Sequence, residues 1–525
     1  MLGAIAAFAL PSMEELTERD LATMAWSYAI LAFPDLPLLD AIATQALEVV
    51  NEFTAQGLSN IAWSFAKLSL SYLPLMTTIA VAAIRCSPEF RPQHIANTSW
   101  AFATLLIDDA PMLTALSARA VGRLQEFGPE ELAITAWASA KLRMMNRPFV
   151  EHIAARCLRT ITEFSLQELG NMAWSYATLQ WSDEPVLKAI ADRAADLLQE
   201  FVESPAAPSG ASSPNAASTP ILCLVQAYTD LDKLSGRLEA GSLIALLHLG
   251  RQMDALHPGQ STPDEDVEEV HGEPFVQRAN EHMGVLRKPA GWTVLTSPAK
   301  RRMSRRSRDL VKWLQARTSH PIVRDSEVEF GLIHRLDRET SGALLFAKTY
   351  EGFFAAKYAF NARKVMKRYV ALCKGHFPKD RQFVTFPLLT AEVDGGWRST
   401  VDELGQHSRT EVQSAAHLRD GSEEAWSLLV IRLHTGRTHQ IRAHCAHLGH
   451  PLAADEAYGG PSLDECPRVF LHSFELALDV PSAGGNSAWT LKATSPLPDE
   501  LLKALAHMRA DALEDAMLLT TWIGS

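Results

Sequence analysis

Residues 331 to 342, GLIHRLDRETSG, place one carboxylate, Asp337, between Arg335 and Arg338. Two cationic neighbours hold a carboxylate ionised, the form in which it can act as a nucleophile or steady a positive charge. Thr340, Ser341 and Gly342 follow. They offer hydroxyls and a backbone without a Cβ, as a loop needs if it is to bend close to a ligand. Taken alone, the same letters also describe a surface turn of mixed charge. The remaining groups of a site must then come from elsewhere in the chain.

Two other clusters invite chemistry. His439, His444, Cys445, His447 and His450 crowd together, but only some would share a helix face. The spacing is not that of HExxH and no acidic partner lies within the run, so no metal and no cofactor are expected. The run KRRMSRRSR at 300 to 308 carries Arg301, Arg302, Arg305 and Arg306. It reads as a contact for a phosphate backbone, with a solvated basic helix start as the plainer alternative.

The elements that position these groups follow from composition and periodicity. With 525 residues, 47% of them apolar and 21% charged, the chain reads as soluble and multidomain. No apolar run reaches the roughly 18 residues that would cross a bilayer, so no membrane partner is expected. The opening MLGAIAAFALPSM has no basic stretch and makes a poor secretory signal. Six cysteines without a CxxC pair point to a reducing compartment. Residues 1–200 carry 13 basic and 22 acidic side chains, 201–270 carry 3 and 10, and 271–525 carry 33 and 29. Only the last part has the sign that a polyanion favours.

Trp26, Trp63, Trp100, Trp137 and Trp174 are spaced by 37 residues, each followed by alanine three places on and leucine five places on. Phe53, Phe90, Phe127 and Phe164 stand ten places before their tryptophans. Leu58, Ile61, Phe65 and Leu68 fall on one helix face and Trp63 on the other, so the helix must be buried on both sides, as in a solenoid of stacked hairpins. The tryptophans are read as packing between repeats, with base stacking the minority alternative. Residues 1–204 form this array, and roughly 12 to 204 resemble the heptatricopeptide repeats, relatives of the octotricopeptide and pentatricopeptide proteins of organelle RNA metabolism. The resemblance points to a mitochondrion or plastid and away from secretion, with cytoplasm or nucleus still open. The acidic balance makes a protein partner on the solenoid at least as natural as RNA. By the repeat phase, Met1 falls inside an earlier unit's second helix.

The register breaks at 205–220, a Pro/Ser/Ala stretch read as a flexible insert. A degenerate capping repeat is expected over 221–256 and an acidic linker over 257–272. From 273 to 510 the texture changes to short β-branched runs, turns and isolated helices, and 511–525 reads as a tail. KPAG, HRLDRETSG, KRYVALCKG, GRTHQIRAHCAHLGHPLAADEAYGG and LHSFELAL stand in order within 275–500. In sequence and spacing they resemble the RluA-type RNA pseudouridine synthases.

That resemblance implies an α+β catalytic domain on a mixed, mostly antiparallel sheet, acting on RNA as a monomer and isomerising uridine to pseudouridine. By position, Asp337 is the catalytic carboxylate, Tyr369 the ring that stacks on uracil, and Arg442 the counter-ion. Arg335 is the arginine that enters the RNA stack when the base flips out. Arg338, Lys367, Arg368, Arg437 and His439 join it as RNA contacts. Ala454 departs from the glycine common in the family. The competing expectation is a non-catalytic RNA clamp on the same fold.

Overall fold

Each 37-residue period of the N-terminal sequence folds into a pair of helices. The computed structural model describes residues 2–203, 214–258, 270, 272–294, 308–393, 396–480 and 489–523. Its contacts divide the chain into two units, Met1–Glu203 with Thr219–Ser242 and Ser204–Ser218 with Leu243–Ser525.

After α1 (Leu2–Ala9) the pairs are α2 (Glu18–Ile30) with α3 (Leu36–Glu48), α4 (Ala55–Lys67) with α5 (Leu73–Cys86), and α6 (Pro92–Thr104) with α7 (Ala110–Arg123). There follow α8 (Pro129–Lys141) with α9 (Arg147–Thr160), α10 (Leu166–Thr178) with α11 (Glu184–Glu203), and α12 (Pro214–Asp230) with α13 (Gly236–Leu256). The boundaries are set locally. Thr17, Thr54 and Ser165 cap first helices through their side-chain oxygens, and Asp35, Asp109 and Asn146 cap second helices that carry proline in the first turn. Between the two helices a left-handed residue recurs at Ala32, Ser69, Leu106, Arg143 and Gln180, and again at Asp232. The next amide then closes on a carbonyl five residues back, as in Leu70 N to Phe65 O (2.9 Å) and Lys233 N to Tyr228 O (2.8 Å). Asp232 thus marks α12 and α13 as a further copy of the same hairpin.

Close approach of the first helices comes from alanine: Ala29, Ala66, Ala103 and Ala140 are at most 1% exposed. The tryptophans pack less deeply than the periodicity implies. Trp63 meets Trp100, and Trp137 meets Trp174, at 6.1 Å between ring centroids, yet these rings stay partly exposed and Trp26 is 44% exposed. The stretch read as a flexible insert, 205–220, is helical in its last part. Residues 204–213 lie outside the described residues, but 214–220 form the start of α12. Proline is tolerated in a helix's first turn, and the following alanines and serines continue it, burying Ser218 and Ile221. Most of the acidic linker also lies outside the described residues.

The second unit is built on a ten-stranded sheet in the order β1-β2-β5-β12-β6-β11-β10-β14, with β13 on β12 and β7 on β10. Its strands are β1 (Phe275–Ala279), β2 (Met283–Lys288), β5 (Ser341–Ala347), β6 (Val365–Lys374), β7 (Phe383–Val384), β10 (Thr410–Arg419), β11 (Ala425–Leu433), β12 (Leu471–Val480), β13 (Trp489–Thr494) and β14 (Arg509–Ala510). Pairing is antiparallel except between β5 and β12, so the sheet is mixed and mostly antiparallel. Two small sheets accompany it, β3 (Trp292–Thr293) with β4 (Arg308–Asp309), and the hairpin β8 (Leu388–Val393) with β9 (Gly396–Val401).

Alternation along β6 separates two cores. Tyr369, Ala371 and Cys373 face one, with Leu336, Ile431 and Ile441; Val370 and Leu372 face the other, with Leu428, Phe470 and Leu501. The helices are α14 (Leu310–Arg317), α15 (Tyr350–Asn361), α16 (Gln440–His447), α17 (Asp499–Ala506) and α18 (Leu513–Ile523). The last of these corrects the reading of 511–525 as a tail. Asp515 is buried in a 2.6 Å ion pair with Lys379, Leu519 enters the second core, and Trp522 meets Phe474 edge-on at 4.8 Å. Eleven residues are too few for helical periodicity to stand out, and only tertiary burial stabilises such a short helix. No helix among the described residues is long and apolar enough to cross a membrane.

Candidate active site

Asp337 sits on an open loop that feeds β5, and the loop is held from beneath by two buried cations. Lys288, at the end of β2, is fully buried. Its Nζ donates to the carbonyls of Pro289 (3.0 Å), Trp292 (3.0 Å) and Arg338 (3.1 Å), one acceptor for each N–H. Burial, helped by the Arg468 charge and opposed by Asp337 and Glu339, lowers its pKa to about 7. Arg468 donates to Glu339 O (3.0 Å) and Ser341 Oγ (2.7 Å). Gly291 N reaches Arg338 O (2.8 Å) and Thr340 N reaches Asp337 O (3.2 Å), closing the turn.

Gly342 does what its lack of a Cβ permits, but toward a strand and not a ligand. Its φ is +120°, and a Cβ there would lie 2.1 Å from the Ser473 carbonyl on β12. The crossing brings the site to the middle of the sheet. Gly342 lies beside Ser473, Ser473 beside Tyr369, and Tyr369 beside Ile431, across β5, β12, β6 and β11. Tyr369 is 6% exposed. Burial pushes its phenol well up, with the Asp337 charge acting the same way and a hydrogen bond with Ser473 opposing it.

The cation nearest Asp337 comes from α16. Arg442 Nη1 lies 3.7 Å from Asp337 Oδ2. The same guanidinium is locked in a fork by Asp455, with Nε to Oδ2 at 2.7 Å and Nη2 to Oδ1 at 2.6 Å. Asp455 is fully buried, and Ala454 before it adopts φ +57°, a left-handed conformation that glycine takes without strain. His439 stands at the N-cap of α16 with φ +52° and Nε2 3.8 Å from Asp337 Oδ2. Burial and the Arg442 charge hold its pKa below the usual histidine range against the pull of Asp337.

The two arginines that flank Asp337 in the sequence therefore do not form its ion pair. Both are exposed; Arg335 Nη2 donates to Thr438 Oγ1 (3.3 Å) and Arg338 Nε lies 3.5 Å from Glu339. Lys367 shares the Tyr369 face of β6, with Nζ 5.3 Å from the Phe360 ring; burial and Arg437 bring it down to about 8. Arg437 donates to His407 O (3.1 Å). Arg368, one residue from Tyr369, points to the opposite face, paired with Glu475 at 2.7 Å and stacked 5.0 Å from the Phe474 ring. The β period thus removes it from the Asp337 side. Arg301, Arg302, Arg305 and Arg306 lie outside the described residues.

The histidine cluster is divided among structural partners. His444 is buried between Ser408 Oγ (2.9 Å) and Thr410 Oγ1 (3.0 Å), His447 meets the Phe386 ring, and His450 bonds Lys374 O. Among the described residues no group of three His, Cys, Asp or Glu side chains could hold a metal ion. Lys288, Asp455 and Arg468 were not legible as site residues. The one available signal was a lysine closing the strand MGVLRK, after Arg287.

The site thus brings together a carboxylate, a guanidinium locked by a buried aspartate, and a buried tyrosine ring at the middle of a mixed sheet. Residues 282–447 match the family described as RNA pseudouridylate synthase, and residues 1–203 match that described as RNA-editing substrate-binding complex 6 protein. The ribosomal large subunit pseudouridine synthase D of Pseudomonas aeruginosa is 30% identical over 302 residues, 53% of this chain and 88% of that protein. Synthase C of Pasteurella multocida is 36% identical over 185 residues, 34% of this chain and 54% of that protein. Synthase D of Nitrosomonas europaea is 36% identical over 187 residues and is matched over 51% of its length. With these last two the chain spans about half the relative's length. A human protein, RNA pseudouridylate synthase domain containing 1, aligns with 48% of this chain and 96% of its own at 22% identity and a TM-score of 0.35. The chain belongs to the RNA pseudouridine synthase family.

Proposed function

We propose that this chain is an RNA pseudouridine synthase, an isomerase that acts on a uridine within a structured ribosomal, transfer or messenger RNA. The bond from ribose C1′ to N1 of uracil breaks, the base turns, and C1′ joins C5. The C5 hydrogen leaves as a proton and N1 gains one, so no cofactor is required. Asp337 is the nucleophile or the stabiliser of the charge that develops on ribose. Arg442 is its counter-ion, and Tyr369 the surface on which uracil stacks. An uncharged ring tolerates rotation of the detached base better than directional hydrogen bonds would.

The observation that carries this reading is the approach of Arg442 Nη1 to Asp337 Oδ2 at 3.7 Å, beside the buried Tyr369, in a chain of this family. The target base must first leave its helix at a cost of a few kcal/mol. Exposed Arg335, two residues before Asp337 in the same loop, fills the gap the base leaves. Arg338, Lys367, Arg437 and His439 contact the flanking RNA, and Arg301, Arg302, Arg305 and Arg306 its phosphates. The chain acts as a monomer, and its helical repeats dock the RNA or a protein partner.

RNA labelled with tritium at C5 of uridine tests the activity. The purified protein is expected to release tritium and form pseudouridine, and Asp337→Asn to abolish both. Persistent release by that variant would overturn the assignment. Unchanged cellular function with Asp337→Ala would instead favour the non-catalytic clamp.

A further inference from the structure

Tyr458 takes no part in the chemistry assigned above, yet it lies at the join between the catalytic groups and the β8–β9 hairpin. It ends the short 3-10 turn Glu456–Tyr458 that follows Asp455, so the segment that locks Arg442 also carries this ring. Its hydroxyl accepts from Ser399 N (2.9 Å) and donates to Ser399 O (3.0 Å). His439 Nδ1, 3.2 Å away, fills the oxygen's remaining lone pair as a donor. The guanidinium carbons of Arg442 and Arg398 lie 5.0 and 4.9 Å from the ring centroid.

The apolar contacts run the same way. Leu388 of β8, Ala443 of α16 and Tyr458 form a small buried cluster, with Val401 of β9 and Ala446 packed on it. A two-stranded hairpin is marginally stable alone, and this one is hydrogen-bonded as a separate sheet. Its placement therefore depends on such side contacts. On the outer surface of the hairpin, Trp397 and Val393 are 49% and 45% exposed, the kind of apolar and aromatic surface on which unpaired bases stack.

We propose that Tyr458 is a positioning residue that couples the β8–β9 hairpin to Asp337. RNA flanking the target uridine rests on the hairpin, and the hairpin's position is passed through the Tyr458 hydroxyl to His439 and through its ring to Arg442. The inference rests on the pseudouridine synthase reading and adds to it a route by which bound RNA completes the alignment of the carboxylate.

Tyr458→Phe tests it, because the ring and its apolar cluster remain while the hydroxyl is lost. RNA affinity is expected to stay within about threefold of wild type while the single-turnover rate at saturating RNA falls about 10- to 100-fold. The Ser399 amide should also lose protection against hydrogen exchange. Trp397→Ala is expected to weaken RNA binding about tenfold. A Tyr458→Phe protein with wild-type rate overturns the proposal, as does one whose rate, affinity and thermal midpoint fall together. Failure of the activity reading is distinguishable, since wild-type protein would then form no pseudouridine. Exchange at Ser399 would still decide whether the hydroxyl holds the hairpin.

Discussion

At the scale of single residues, the arrangement around Asp337 depends on geometry that only one side-chain type provides. Arg442 uses two edges of a planar guanidinium, one fixed on Asp455 and the other turned to Asp337. A lysine is a point charge on a flexible stem and cannot do both. Arg442→Lys is therefore expected to keep the positive charge and still lose about 100-fold in single-turnover rate. Tritium release under saturating RNA measures this, and a rate within threefold of wild type would show that charge alone suffices. From the sequence, motif order pairs Asp337 with Arg442, and the two lie 3.7 Å apart; the charges beside it in sequence suggest a nearer pairing that the fold does not form. Arg335 and Arg338 are adjacent to it in sequence and turn away from it in space.

At the scale of elements, the parallel junction of β5 and β12 is held by a directional chain of hydrogen bonds. Arg468 Nη2 donates to Ser341 Oγ (2.7 Å), Ser341 Oγ donates to His472 Nδ1 (2.8 Å), and His472 Nε2 donates to Ser495 O (2.9 Å). The chain requires a neutral imidazole, and burial lowers the pKa of His472 to about 3. Its folded value lies below its unfolded value, so the unfolded state binds the extra proton as pH falls through about 6.5. Stability from this group is present above that pH and lost below it. Between pH 7 and pH 5 the loss is expected to be about 2 kcal/mol. Urea unfolding at the two pH values checks this: His334, which burial also lowers to about 3, adds a like contribution, so His472→Gln should reduce the pH difference by about 2 kcal/mol without abolishing it.

For the whole molecule, the balance of charge separates the two halves as surfaces for a polyanion. Residues 1–200 carry nine more acidic than basic side chains, whereas 271–525 carry four more basic than acidic. RNA affinity should fall with salt, with a slope set by phosphates neutralised in the catalytic unit. Lys67→Glu with Lys141→Glu is expected to leave the slope of log K against log salt unchanged to within about 1. A slope reduced by about 2 would place phosphate contacts on the repeats.

Periodicity and motif order determined a great deal by themselves. A 37-residue repeat with a tryptophan, an alanine and a leucine in fixed phase can only be a stack of like hairpins, and even the left-handed residue between helices keeps that phase from Ala32 to Gln180. The HRLD, KRY and HQIR blocks named Asp337, Tyr369 and Arg442. Their strands alternate with period two, which is a local property. Tertiary structure alone decided which partners those residues meet. It turned Gly342 toward Ser473, sent Arg368 to the far face, set Lys288 and Arg468 beneath the loop, and made α18 part of a core. Each of these depends on burial against a segment tens to hundreds of residues away, and no local pattern encodes which segment that will be.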